Sequence, residues 1–143
     1  MKKILLYLLI APLLAFSQQE TKREYYPSGR LLSIINYTDG VRNGSCKYFH
    51  DYGAWAIKTS LNYKNGKLIG SSKTYNQDGQ LTEEGQYKYS DDWVYSRKDG
   101  VWITYYESGE LKVEITYDEN GKSLKYISYE KDGTITPMPE GGC

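Results

Sequence analysis

The chain has one His, two Cys, two Phe and four Pro in 143 residues, and no excess of either charge, with 18 Lys and Arg against 18 Asp and Glu. Balanced charge disfavours nucleic-acid binding, which draws its affinity from a surplus of cations against phosphates. A single imidazole, His50, leaves nothing to build a nucleophile, base and orienting group from, and no glycine-rich phosphate loop has the required spacing. Carboxylate pairs such as Glu83 with Glu84, or Glu107 with Glu110, lie on opposite strand faces or beside exposed turns, where nothing encloses them to shift a pKa. Catalytic residues and cofactors are therefore not expected. Cys46, Cys143 and His50 make a poor metal set, and two Cys allow one bridge without fixing the distance between them, so a Cys46–Cys143 disulfide stays open.

Only one long apolar run is present, Ile4 to Ala15. Lys2 and Lys3 precede it and Ala15-Phe16-Ser17 follows as a small-x-small site, the pattern of a secretory signal. The run is too short to cross a bilayer, which takes about 20 apolar residues. The expectation is an exported protein, periplasmic or extracellular, with residues 1–17 removed and residues 18–143 forming one domain without stable membrane insertion.

What is abundant is Tyr, at 16, and Gly, at 14. Their spacing is periodic. An aromatic residue stands four before a Gly, and an apolar residue two after it, at Tyr25/Gly29/Leu31, Phe49/Gly53/Trp55, Tyr75/Gly79/Leu81, Tyr105/Gly109/Leu111 and Tyr129/Gly133/Ile135. A spacing of this length marks a supersecondary unit repeated along the chain. After Gly109, the residues Leu111, Val113, Ile115 and Tyr117 alternate with Glu110, Lys112, Glu114 and Thr116, which is a strand with one buried face. Before it, Val101, Ile103 and Tyr105 alternate with Trp102, Thr104 and Tyr106. Glu107-Ser108-Gly109 between them suits a three-residue hairpin loop whose last position is left-handed.

Closing Tyr106 on Glu110 predicts Tyr105 opposite Leu111, Ile103 opposite Val113 and Val101 opposite Ile115, and the same count places Lys73 opposite Glu83. Thr38-Asp39-Gly40 and Lys64-Asn65-Gly66 are short turns that join one hairpin to the next. The expected fold is all-β: an antiparallel meander of about five β-hairpin repeats forming an elongated, mostly single-layer twisted sheet. About ten strands at roughly 4.8 Å each would extend about 48 Å.

Gly100-Val101-Trp102-Ile103-Thr104-Tyr105-Tyr106-Glu107-Ser108-Gly109-Glu110-Leu111 resembles the MORN-repeat variant unit of bacteria. Gly44-Ser45-Cys46-Lys47-Tyr48-Phe49 and Gly70-Ser71-Ser72-Lys73-Thr74-Tyr75 are similar, with Cys46 and Ser72 where Trp102 stands, and in the last copy Leu124 replaces the Gly. The resemblance implies a non-catalytic hairpin array used in protein association and, in some relatives, at membranes. Some bacterial proteins with this variant are labelled as antitoxin partners of a toxin.

The pattern breaks once. The interval from Tyr87 to Gly100 is longer than from Tyr37 to Gly44 or Tyr63 to Gly70, so an insertion occupies residues 88–99. It holds Trp93, Tyr95 and Arg97, residue types common at interfaces; with Trp102 and Tyr106 they are the candidate binding residues. A longer hairpin whose aromatics extend the packed row is the alternative. Three functions remain open: an exported repeat scaffold mediating protein–protein interaction, an antitoxin-like or immunity protein binding a toxin, and a surface protein binding glycans through rows of Tyr and Trp.

Overall fold

The structure, a computed structural model, describes residues 17–53, 56–92 and 94–136. Residues 1–16, which hold the apolar run expected to be a secretory signal, lie outside them, as do Trp55, Trp93 and Cys143. Among the described residues eleven strands and no helix follow in order: β1 (Gln19–Tyr25), β2 (Leu31–Thr38), β3 (Val41–Phe49), β4 (Ile57–Lys64), β5 (Lys67–Leu68), β6 (Gly70–Tyr75), β7 (Leu81–Lys88), β8 (Arg97–Tyr105), β9 (Leu111–Tyr117), β10 (Ser123–Tyr129) and β11 (Ile135–Thr136). All pair antiparallel in one open sheet whose spatial order is the chain order, with the short β5 beside β4 only. This is the expected meander, since hairpin and inter-hairpin turns leave no room for a crossover.

Two turn chemistries alternate. In the hairpin loops, the N–H of Tyr26, Asn76, Tyr106 and Glu130 donates to the carbonyl four residues on, and Gly29, Gly79, Gly109 and Gly133 close the turn. Gly109 has φ +97°, a left-handed value that side chains disfavour. Between hairpins, Asp39-Gly40 and Asn65-Gly66 both take positive φ, as a two-residue turn compatible with strand twist requires. The second hairpin departs from the expected form. His50 N–H bonds Ala56 O, so its loop is two residues longer, and Phe49 faces Ile57 instead of the expected Trp55.

The register also differs from the simple count. Tyr105 faces Leu111 as predicted, but a bulge between Thr104 and Tyr105 then moves the ladder by one place. Thr104 faces Val113, Ile103 faces Glu114 and Trp102 faces Ile115, so the expected Ile103–Val113 and Val101–Ile115 pairs do not form. The same bulge in the third hairpin sets Lys73 opposite Glu84 instead of Glu83. A bulge adds one residue to one strand, and period-two alternation does not register it because the extra side chain still looks like part of the pattern. A second, larger irregularity recurs where hairpins meet. Ile35 faces Cys46 while Tyr37 faces Arg42, so two steps on β2 span four on β3 around Gly44. Gly100 occupies the same place on β8, where Glu84 faces Ile103 and Gln86 faces Asp99. Leu124 stands there on β10 and is 64% exposed.

The bulges bring one row of partners into line on one face: Lys22–Ile35–Cys46–Leu61 in the first half, Ser72–Gly85 in the middle and Trp102–Ile115–Tyr126 in the second. Ile35, Cys46, Ser33 and Ser72 are buried, as are Phe49 and Trp102. Trp102 lies flat on the backbone of Gly85. A Cβ at residue 85 would stand 2.2 Å from the indole, so only Gly fits beneath it. The indole N–H donates to Gln86 O at 3.0 Å, Tyr87 meets the ring edge-on at 5.0 Å, and Lys98 Nζ sits 3.8 Å from the ring centroid.

Successive hairpins are further tied at their loop ends. Tyr26 Oη donates to Phe49 O, and Tyr106 Oη donates to Tyr129 O, each at 2.8 Å. His50 Nε2 lies 3.0 Å from Tyr75 O; a carbonyl only accepts, so Nε2 carries the proton. Asn76, at the corresponding place, bonds within its own turn instead.

Gly85→Ala is expected to destabilise the chain by about 2–3 kcal/mol through overpacking and to red-shift Trp fluorescence as the indole is displaced. Gly79→Ala, where nothing lies within 4 Å, costs backbone strain of about 1 kcal/mol and leaves the emission unchanged. Chemical denaturation followed by fluorescence distinguishes them; equal effects would contradict the packing of Trp102 on Gly85.

Candidate functional site

On the face that carries the buried row, Tyr side chains recur on every second strand of the hairpins: Tyr37, Tyr63, Tyr87 and Tyr117. Cations sit between them. Tyr37 faces Arg42 and Tyr87 faces Lys98, while Leu68 takes the corresponding place opposite Tyr63. Lys22 Nζ is 5.0 Å from the Tyr37 ring centroid, Arg42 Cζ is 5.5 Å from that of Tyr63, and Lys98 Nζ is 5.8 Å from that of Tyr117. Hydrogen bonding to Tyr37 outweighs burial and raises the Arg42 pKa, which keeps the guanidinium charged. Burial, with Cys46 adjoining, pushes the Tyr48 phenol up to about 12, and burial also raises the Cys46 thiol. The row thus interleaves phenol rings with basic side chains. Its sequence signal is a basic residue two before the repeat glycine, Arg42 before Gly44 and Lys98 before Gly100.

Two adjoining depressions open at the end of the sheet that carries the inter-hairpin turns. One, of about 640 Å³, is lined by Gln19, Asn36, Tyr37, Asn43 and Tyr63 among others. The second, of about 810 Å³, runs between the Lys64–Lys67 turn and the start of the insertion, and is lined by Lys64, Lys67, Ile69, Tyr87, Lys88 and Tyr89, with Asn65, Ser90 and Asp91. Lys64 and Ile69 border both. Lys67 crosses toward the insertion: its Nζ is 5.0 Å from the Tyr89 ring centroid and 3.4 Å from Val94 O.

The candidate binding residues do not converge. Tyr95, 78% exposed, and its neighbour Val94, 72% exposed, form the tip of the insertion. Arg97 begins β8 and donates to Asn120 O at 2.8 Å, fixing the end of the insertion to the β9–β10 turn. Trp102 is buried on Gly85, and Tyr106 lies at the opposite, loop end of the sheet, bonded to Tyr129 O. Trp93 lies outside the described residues. Lys64, Lys67 and Tyr89 were not singled out by the repeat pattern, because they line a trough that exists only once the β4–β5 turn and the insertion are placed side by side.

The opposite face carries a polar bridge across three strands. Lys73 Nζ is 3.1 Å from Glu84 Oε2, and Tyr105 Oη donates to Glu84 Oε1 at 2.8 Å. The Tyr105 bond, and then Lys73, hold the Glu84 carboxyl below its usual range; burial, and then Glu84, push the Tyr105 phenol up to about 12. On the row face, Lys98 and Glu83 pair at 3.2 Å. Among the described residues no three His, Cys, Asp or Glu side chains gather closely enough to hold a metal ion.

Three stretches, residues 21–39, 68–89 and 98–119, match the family model for the MORN repeat variant. Each holds one hairpin, respectively β1–β2, β6–β7 and β8–β9, and the hairpin with the longer loop, β3–β4, falls between them. MORN repeats form a non-enzymatic family whose arrays generally serve as scaffolds for proteins or membranes. Neither the curated proteins nor the solved structures contain a match to the chain.

Because Glu84 titrates below its unfolded value when folded, its stabilisation is complete above the unfolded pKa near 4.3 and is lost as pH falls through the lower folded value. Glu84→Gln is expected to flatten the acid limb of the stability–pH curve. Superimposable acid limbs for the two proteins would contradict the bridge.

Proposed function

We propose that the chain is a non-catalytic, exported scaffold that holds another protein, with the insertion and the trough beside it as the contact surface. The observation that carries this reading is the exposure of Val94 and Tyr95, the two most exposed large apolar side chains among the described residues. Elsewhere, Trp102, Tyr26 and Tyr106 are tied to backbone carbonyls, and Tyr25, at 58%, is the next most exposed aromatic. An apolar pair held out at the tip of the one long insertion has no such role within the sheet, and exposed apolar groups beside a polar rim mark contact surfaces. The general use of MORN repeats as protein-binding scaffolds supports the same reading. Export rests on Lys2, Lys3, the run Ile4 to Ala15 and the small residues at Ala15 and Ser17.

With the full chain as bait in its native host, Val94→Ala with Tyr95→Ala is expected to reduce retention of the bound protein about tenfold or more, the size of effect expected for an aromatic anchor. Their replacement leaves the melting temperature within about 1 °C, since both side chains stand in solvent. Retention unaffected by the double substitution would refute this contact surface. The mature protein recovered from the host is expected to begin at Gln18, read by N-terminal sequencing; recovery with Met1 in place would refute export by cleavage.

A further inference from the structure

We infer that the trough between the β4–β5 turn and the insertion receives an acidic, extended segment of the partner protein; this rests on the scaffold reading and names the chemistry of what is held.

Three cations, Lys64, Lys67 and Lys88, line the trough against one acid, Asp91. None of the three takes part in an ion pair among the described residues, although the chain as a whole has as many acids as bases. Lys64 and Lys67 are moreover direct cross-strand partners. Like charges placed opposite each other weaken a ladder, whereas the sheet elsewhere sets Lys73 against Glu84. Lys67 is engaged by Tyr89 and Val94 O, but an acid at residue 64 would suit the ladder better, so the positive charge of Lys64 is a local choice that the fold does not ask for. A bound carboxylate removes the conflict by lying between the two ammonium groups.

The floor of the same trough is apolar and aromatic: Ile69, Tyr87 and Tyr89. Its volume of about 810 Å³ is that of a site for a short segment of chain. An extended peptide that alternates apolar and acidic side chains presents one set to the floor and the other to the lysines. Val94 and Tyr95, at the tip of the insertion that borders the trough, then meet the apolar surface of the same partner. A bilayer surface fits the site poorly, because it is broad and cannot descend between the turn and the insertion to reach Ile69 and Tyr87.

The test uses the mature chain and a fluorescein-labelled eight-residue peptide alternating Glu and Leu, followed by anisotropy, with a Lys and Leu peptide as the opposite-charge control. Saturable binding of the acidic peptide alone is expected, weakened about fivefold or more between roughly 0.05 and 0.3 M salt as the charges are screened. Combining Lys64→Gln, Lys67→Gln and Lys88→Gln is expected to cut affinity about tenfold or more. Lys73→Gln, at a lysine outside the trough that is paired with Glu84, leaves it unchanged. Lys67 also contacts Tyr89 and Val94 O, so Lys64→Gln with Lys88→Gln, which leaves those contacts in place, is measured beside the triple variant and is expected to weaken binding about threefold or more without lowering the melting temperature. Absence of saturable binding, equal affinity in the triple variant, or equal binding of the basic peptide overturns the assignment. So does uptake onto phosphatidylserine vesicles through the same lysines without peptide binding. If the acidic peptide fails while retention of the host partner still depends on Val94 and Tyr95, the acidic-segment assignment falls and the scaffold reading stands.

Discussion

A sheet one layer thick has no second layer to bury its apolar groups against, so each strand must be covered by its immediate neighbours. Everything in this chain follows from that lateral packing. In the first half, Ile35 and Cys46 pair across β2 and β3 and are covered well enough to be almost wholly buried. In the second half the same position holds Trp102, which finds room only because Gly85 has no side chain. Large residue on small backbone replaces the interlocking of two layers. The arrangement has the logic of a repeat array, in which stability comes from each unit and its contacts with the next. The loop-end bonds of Tyr26, His50 and Tyr106 to the following unit add the same nearest-neighbour coupling through the backbone.

Much of this was legible from residue order. Asp39-Gly40 and Asn65-Gly66 named the short turns, Gly29, Gly79, Gly109 and Gly133 named the loops, and alternation along 111–117 named a strand. The bulge beside each loop was not legible, because one inserted residue leaves local alternation intact while moving every later partner by one place. Gly53 imitated the loop glycine in spacing, yet the loop around it runs two residues longer and brings Ile57 rather than Trp55 across from Phe49. Gly85 carried no signal at all: within a strand pattern it reads as a weak point, and its purpose appears only with Trp102 above it. For the same reason Trp102 and Tyr106, singled out for their aromatic character, prove to be held by Gln86 O and Tyr129 O.

The division between regular and irregular parts is also the division between structure and contact. Where the repeat holds, cations and rings are matched: Lys22 with Tyr37, Arg42 with Tyr63, Lys98 with Trp102. Where the insertion interrupts it, Val94 and Tyr95 stand in solvent and Lys64, Lys67 and Lys88 gather against a single acid, Asp91. A rigid row beside an unsatisfied rim is the form a scaffold for another chain takes, with specificity placed on the part that the fold does not constrain.

The lateral-packing account is tested most directly by the proton chemical shift of the Gly85 α-protons. An indole lying flat on that backbone displaces them strongly upfield through its ring current, and the displacement is lost in Trp102→Leu. Gly85 α-protons at the ordinary glycine position in the native chain would contradict the account.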